Sequence, residues 1–227
     1  MAKPKKFAGR KPEPARAPVD PETSRALRTA RIHEALGHRL GSVVVVIEAV
    51  HRRHNASAIL RSCEAFGVHE VHLITRNFRP SKGAARGSER WMEVHQHEET
   101  VPVLEALRAR GFHIYVADLD DTAHTPDTVP VDHPVALLFG SEVVGVSDDA
   151  KRMSDGAICV PMRGLTESLN VASAATCILY RVAERRRALV GTDLSIERRD
   201  AFFARWQAKD EAQRAGMDAR VGGQPAS

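Results

Sequence analysis

The chain switches between two hydrophobic periods. Asp20-Pro21-Glu22 reads as a helix start: Asp20 as N-cap, Pro21 at the first helical position and Glu22 as an acid in the first turn. Apolar residues then recur at helical spacing to about Leu40. From Gly41 on, strands and helices alternate. Val43–Glu48 holds a continuous apolar run of the kind buried on both faces of a parallel sheet, and Asn55 is placed to cap a helix ending near Gly67. A second strand is expected at Val71–Ile74, followed by a loop rich in Gly, Ser and Arg over Thr75–Arg90. A helix near Glu99–Arg110 stops at Gly111, and strands follow at Phe112–Ala117, Val135–Phe139 and Ile158–Val160. A long helix from Leu169 to about Arg187 and a shorter one around Ile196–Ala208, with Phe202, Phe203 and Trp206, complete the pattern. Strands separated by helices predict an α/β fold, a mainly parallel sheet flanked by helices.

This pattern divides the chain into a disordered basic tail (1–22), an N-terminal helix (23–42), an α/β domain (43–190), a C-terminal helical extension (191–215) and a second disordered tail (216–227). The 227 residues suit one domain plus tails, and 43% hydrophobic content supplies a real core. With 33 basic against 29 acidic side chains the net charge is only +4, so its placement matters more than its sum. Lys3, Lys5, Lys6, Arg10, Lys11 and Arg16 lie among prolines, a composition that fits either a solubilising tail or an arm reaching along a polyanion. On the first helix Arg28, Arg31 and Arg39 fall within roughly 80° of one another beside the apolar face, a stripe able to meet phosphates and equally an ordinary solvated face. No apolar run approaches the roughly 18 to 20 residues of a membrane span, and the N-terminus has no apolar h-region. Cys63, Cys159 and Cys177 are odd in number, far apart and embedded in apolar runs, which excludes a disulfide framework and suits reduced thiols in a cytoplasmic protein.

Ligands of open α/β sheets sit beyond the carboxyl ends of strands. Three strand ends here lead into short loops: Ala117-Asp118-Leu119-Asp120, Phe139-Gly140-Ser141-Glu142-Val143-Val144-Gly145 and Val160-Pro161-Met162-Arg163-Gly164. Glycines in two of them either admit backbone close to a ligand or simply make tight turns. The last loop runs into Ser168-Leu169-Asn170, with Ser168 a natural N-cap whose helix offers free N–H groups to an anion. Between the first strand and its helix, His54-Asn55 is followed six residues later by Arg61, which leaves the core face. There is no G-x-G-x-x-G, no Walker loop and no G-x-S-x-G elbow. His51/His54, His69/His72 and His95/His97 lack companions at metal-site spacing, so no metal is expected.

Asn55-x5-Arg61, Leu138-Phe139-Gly140-Ser141-Glu142-x2-Gly145-Val146 and Val160-Pro161-Met162-x5-Ser168-Leu169-Asn170-Val171-Ala172 together resemble the three motifs of the SpoU/TrmH class of SPOUT RNA 2′-O-methyltransferases, in order and in spacing. The resemblance covers roughly residues 28 to 187. It implies a C-terminal deep trefoil knot (the α/β knot), S-adenosylmethionine bound in that knot, and a homodimer whose active site uses both protomers. The resemblance points to the short tRNA-specific members, which methylate the ribose of guanosine 18 in the D-loop; their N-terminal helix carries arginines matching Arg28, Arg31 and Arg39 as RNA contacts. Ala84-x2-Gly87-Ser88-Glu89-x-Trp91 matches the family's loop before its third strand, and the 42 residues before Val43 leave no room for the separate RNA-binding domain of the ribosomal-RNA enzymes. Arg53, Arg163 and Thr166-Glu167 depart from the tRNA enzymes' pattern.

By this resemblance Arg61 stands at the ribose and Asn55 fixes the arginine or its phosphate. Gly140, Val160 and Leu169 offer backbone to the donor, Leu119 and Met162 wall its pocket, and Ser168 and Asn170 order the crossing loop. An arginine with a pKa above about 12 is a poor base, so polarising the hydroxyl with help from an RNA phosphate is favoured, with base action left open. Two other readings remain: the same chemistry on ribosomal RNA, suggested by residues 163–167, and a knotted RNA-binding protein without activity.

Overall fold

The computed structural model describes residues 20–48, 53–75, 78–81, 85, 87–141 and 144–221; side chains of residues 213–221 are not described. Residues 1–19 of the basic tail, Ala84, Glu142, Val143 and residues 222–227 therefore lie outside the described part.

Helix α1 (Pro21–Gly37) starts as expected: the Asp20 carboxylate accepts the Glu22 and Thr23 N–H groups at 3.0 and 2.9 Å. It stops at Gly37 rather than near Leu40, and Leu40 opens strand β1 (Leu40–Glu48), every residue of which is buried except Gly41. Helix α2 spans Arg53–Ala65, which places Asn55 inside its first turn instead of at its cap. Strand β2 (Val68–Ile74) is fully buried. A 3₁₀ turn, Ser88–Trp91, leads into strand β3 (Glu93–His97), which the hydrophobic pattern does not reveal. With Val94 as its one aliphatic residue and a position at the sheet edge, β3 has no core face to advertise. Helix α3 (Thr100–Ala109), strand β4 (His113–Ala117), strand β5 (Val135–Phe139), short helix α4 (Asp148–Arg152) and strand β6 (Gly156–Ile158) follow. Helix α5 runs Val171–Val190, and helix α6 runs Ile196–Val221, past Ala208 and into the first six residues of the tail expected to be disordered.

All strand pairs are parallel in the order β3-β2-β1-β5-β4-β6, so the chain reverses direction of growth between β1 and β5. One face of the sheet is covered by α2 and α5 through Ile59, Leu60, Ile178 and Val182, and the other by α3 and α4 through Val103, Leu104, Leu107 and Ala150. Val135–Phe139 is buried at all five positions, as a strand between two helical layers requires. A satellite cluster of Ile32, Leu36, Phe202 and Trp206 holds α1 against α6. Arg198 pins α6 to the edge of the sheet by donating to Glu70 (3.0 Å) and Glu93 (2.5 Å).

Candidate active site

The C-terminal ends of β4, β5 and β6 lie side by side, and the segments leaving them meet in one cleft of about 500 Å³. Its floor is apolar, with Phe139, Ile158, Ala174 and Ile178, and Asp118 and Glu167 bring carboxylates to its lining. Lys151 neutralises part of that charge at 2.6 Å from Asp118, and the contact raises the lysine pKa. The cleft is thus large enough for a ligand the size of a nucleoside, and its apolar depth and acidic lining suit one that carries an adenine-like ring and a positive charge.

Of the residues expected at the donor, Leu119, Val160, Met162, Ser168, Leu169 and Asn170 all line this cleft. Gly140 does not line it, although its neighbours Phe139 and Ser141 do. Its glycine has another cause: a Cβ there would lie 2.2 Å from the Gly145 carbonyl oxygen. The loop closes on itself at this point, with Ser141 and Gly145 exchanging both backbone hydrogen bonds at 2.9 and 3.0 Å and Gly145 at φ 70°.

The cap of α5 also differs from expectation. Asn170, two residues beyond Ser168, accepts the Ala172 N–H at 2.9 Å and is the N-cap. Its amide Nδ2 donates to Asn55 Oδ1 at 3.3 Å, which ties the cleft to a buried side chain in the first turn of α2. Arg61, farther along α2, is exposed and stands outside the cleft lining. One side of that helix is fixed against α5 by Ser62 Oγ and Thr176 Oγ1, 2.7 Å apart.

The arginine stripe is broken. Arg28 and Arg31 are exposed on α1, Arg28 paired with Asp210 at 3.1 Å and lying over the Trp206 ring. Arg39 is only 3% exposed and donates to the Glu64 and Val68 carbonyls and to the Glu64 carboxylate at 2.9 Å. Since α1 ends at Gly37, the angle that placed Arg39 beside Arg28 does not apply, and its guanidinium closes the turn into β1 instead.

Glu48 escaped the sequence reading. It ends β1, is 5% exposed, and accepts from Ser147 N (2.8 Å), Ser147 Oγ (2.7 Å) and Thr100 Oγ1 (2.5 Å). It thereby anchors the far end of the loop that starts at Phe139, and an acid closing a run of buried valines was the signal for it.

Known proteins resemble this chain in sequence and in fold. The profile of the SpoU rRNA Methylase family matches residues 42–180. The tRNA (guanosine(18)-2′-O)-methyltransferase of Thermus thermophilus is 39% identical over 166 residues, 72% of this chain and 85% of that protein. The enzyme of the same name from Escherichia coli is 37% identical over 162 residues, 70% of this chain and 71% of that one. The crystal structure of the Aquifex aeolicus TrmH/SpoU tRNA modifying enzyme superposes with a TM-score of 0.74 at 30% identity, over 82% of this chain and 97% of that one. A shared fold, a family profile over most of the chain and identity of this extent have one explanation: the chain belongs to the SpoU methylase family.

Proposed function

We propose that this protein methylates the 2′-hydroxyl of a tRNA ribose, at guanosine 18 of the D-loop, with S-adenosylmethionine as donor. The observation that carries the reading is the convergence of three strand-end loops on a single cleft, in a chain whose relatives over 70% or more of its length are named for that reaction. The donor supplies an electrophilic methyl group on a sulfonium centre. Everything else falls to the chain. Phe139, Ile178 and Met162 keep water from the donor's apolar part, Asp118 and Glu167 favour its positive charge, and Asn170, held from both sides by Ala172 N–H and Asn55, sets the wall past which the ribose enters.

Arg61 acts by donating N–H groups to the ribose oxygen and an adjoining RNA phosphate, the role a guanidinium fork suits best. The hydroxyl oxygen would take the methyl group as the donor's S–CH3 bond breaks, its electron pair remaining on sulfur in a neutral thioether, and the hydroxyl proton would leave through the phosphate to water. This assignment needs a homodimer. Arg61 is exposed on α2, the helix that packs on α5 through Ser62 and Thr176, and α5 itself exposes Cys177 and Tyr180; a second copy seated on that face brings the guanidinium to its neighbour's cleft. The same partner covers Leu165 and Leu169, which are exposed next to the cleft. The reading includes the trefoil knot. Because β6 sits beyond β4 at the sheet edge while α5 packs on α2 near β1, the segment between them crosses the ends of β4 and β5. Among the described residues no helix is long and apolar enough to cross a membrane. The proposed tRNA substrate implies work in the cytoplasm.

The deciding experiment incubates the purified chain with labelled S-adenosylmethionine and unmodified transcripts of tRNA and ribosomal RNA, then maps the methylated ribose. Label at guanosine 18 of tRNA is the expected result. Label in ribosomal RNA alone moves the substrate, and donor binding by calorimetry without transfer to either reduces the protein to an RNA binder.

A further inference from the structure

A second cavity, about 450 Å³, shares no residue with the donor cleft. It lies between α1, the end of α2 and α6, with Ile32, Leu36 and Phe202 as its apolar floor and Trp91 as a half-buried wall. The Trp91 ring is backed by Trp206, centroids 5.2 Å apart and planes inclined 28°, so the indole is oriented before anything binds. Leu27 stands 57% exposed in the lining, and Arg31 is exposed beside it. The cavity's one carboxylate, Glu64, is already taken by Arg39.

We propose that this groove takes one unstacked base of the substrate RNA, laid against Trp91, with its phosphate at Arg31. The inference rests on the reading of the protein as an RNA methyltransferase. An apolar groove with an aromatic wall and a cationic rim suits single-stranded nucleic acid: the ring face accepts any base, and the guanidinium meets the phosphodiester. The uncompensated charge around the slot is positive, so it favours a polyanion over an apolar peptide. Its volume is of the order a single nucleotide needs. The groove would thus hold RNA at a distance from the ribose being methylated and set which stretch of chain reaches the donor cleft.

The sequence contains two tryptophans, so Trp206→Phe leaves Trp91 as the sole indole reporter. Titration of that variant with unmodified tRNA transcript should quench its fluorescence with the midpoint of binding measured by filter retention. Trp91→Ala should weaken tRNA binding roughly tenfold, Trp91→Phe should recover most of it, and donor affinity by calorimetry should stay unchanged in both. Leu27→Asp, an exposed position whose replacement does not threaten folding, should weaken tRNA binding several-fold. Unquenched fluorescence, or tRNA affinity kept within twofold in both Trp91→Ala and Leu27→Asp, overturns the site while methyl transfer by the wild-type protein keeps the functional reading standing. A wild-type protein that neither binds nor methylates tRNA overturns that reading itself, before any variant is made.

Discussion

At its N-terminal end α5 emerges from segment 161–170, where every residue is exposed except half-buried Met162, whereas at its C-terminal end three consecutive arginines reach back into the molecule. Arg185 donates to the Pro126 and Val129 carbonyls, Arg186 to Ser42 Oγ and the Val131 carbonyl, and Arg187 to the His38 and Phe66 carbonyls. One helix therefore joins a surface left open for ligand and partner to a region where each charge is spent on backbone. Hydrogen bonds to charged groups contribute about 1.5–3 kcal/mol each, so the closed end can hold the fold while the open end stays available for binding. Arginine is the residue that marks both regions, and exposure rather than identity separates its two uses.

The sharpest break of that comparison is Arg61→Ala. If Arg61 acts on the ribose, methyl transfer should fall by about 10²–10⁴-fold in a labelled-donor assay, while donor affinity by calorimetry stays within a few fold. Activity retained at the wild-type level would return Arg61 to the solvated surface. Arg186→Met, at the closed end, should do the reverse. Leaving the Val131 carbonyl without its donor should cost about 3 kcal/mol, read as a lower urea midpoint at unchanged slope, with donor affinity unaltered in the protein that remains folded.

How far the sequence carried differs along the same division. Val135–Phe139 was readable to the residue because a strand buried on both faces needs an unbroken apolar run, and the loops at Leu119, Val160 and Met162 followed from the rule that ligands gather at strand ends. The hydrophobic pattern does not show strand β3, because an edge strand of Glu93, His95, Gln96 and His97 looks like a loop. Ser168 and Asn170 are both good caps two residues apart, and nothing local chooses between them; the Asn55 amide from another helix does. Arg39 and Gly140 show what the sequence leaves out: each has a second use inside the protein, against Glu64 in one case and the Gly145 carbonyl in the other, and those partners are fixed only by the folded chain.

Glu48 belongs to neither region and tests their connection, since it holds from beneath the loop that borders the cleft. Glu48→Gln keeps an acceptor for Thr100 or Ser147 but loses the carboxylate, and the loop should loosen. The expected outcome is a KM for the donor raised about fivefold with kcat changed less than twofold. An unchanged KM would leave Glu48 an acceptor for Ser147 and Thr100 with no bearing on the cleft. At the sheet edge, His69 and Arg198 hold the Glu93 carboxyl down to about 2 from its ordinary value of 4.5. A depressed carboxyl stabilises the fold above the unfolded value and loses that contribution as pH falls from about 4.5 toward 2. Glu93→Gln should therefore cost about 1–2 kcal/mol at pH 7, after allowance for screening, and flatten the acid limb of stability against pH.

The smallest effect tests the N-terminal helix, where three arginines of one apparent stripe part company. Neutralising Arg31 to Gln removes an exposed cation with no cost in folding, so tRNA affinity should fall a few-fold and the dependence of log affinity on log salt should flatten by about one unit. Arg28→Gln should flatten it less, because an RNA phosphate must first displace Asp210, 3.1 Å from the guanidinium. Arg39→Gln should leave the salt slope untouched and lower the melting temperature instead, since its guanidinium already satisfies Glu64 and the Val68 carbonyl. Three equal slopes would mean that Arg39 leaves its buried site when RNA binds. An unequal set in the order Arg31, Arg28, Arg39 would show that burial in the free protein decides which arginines are available to RNA.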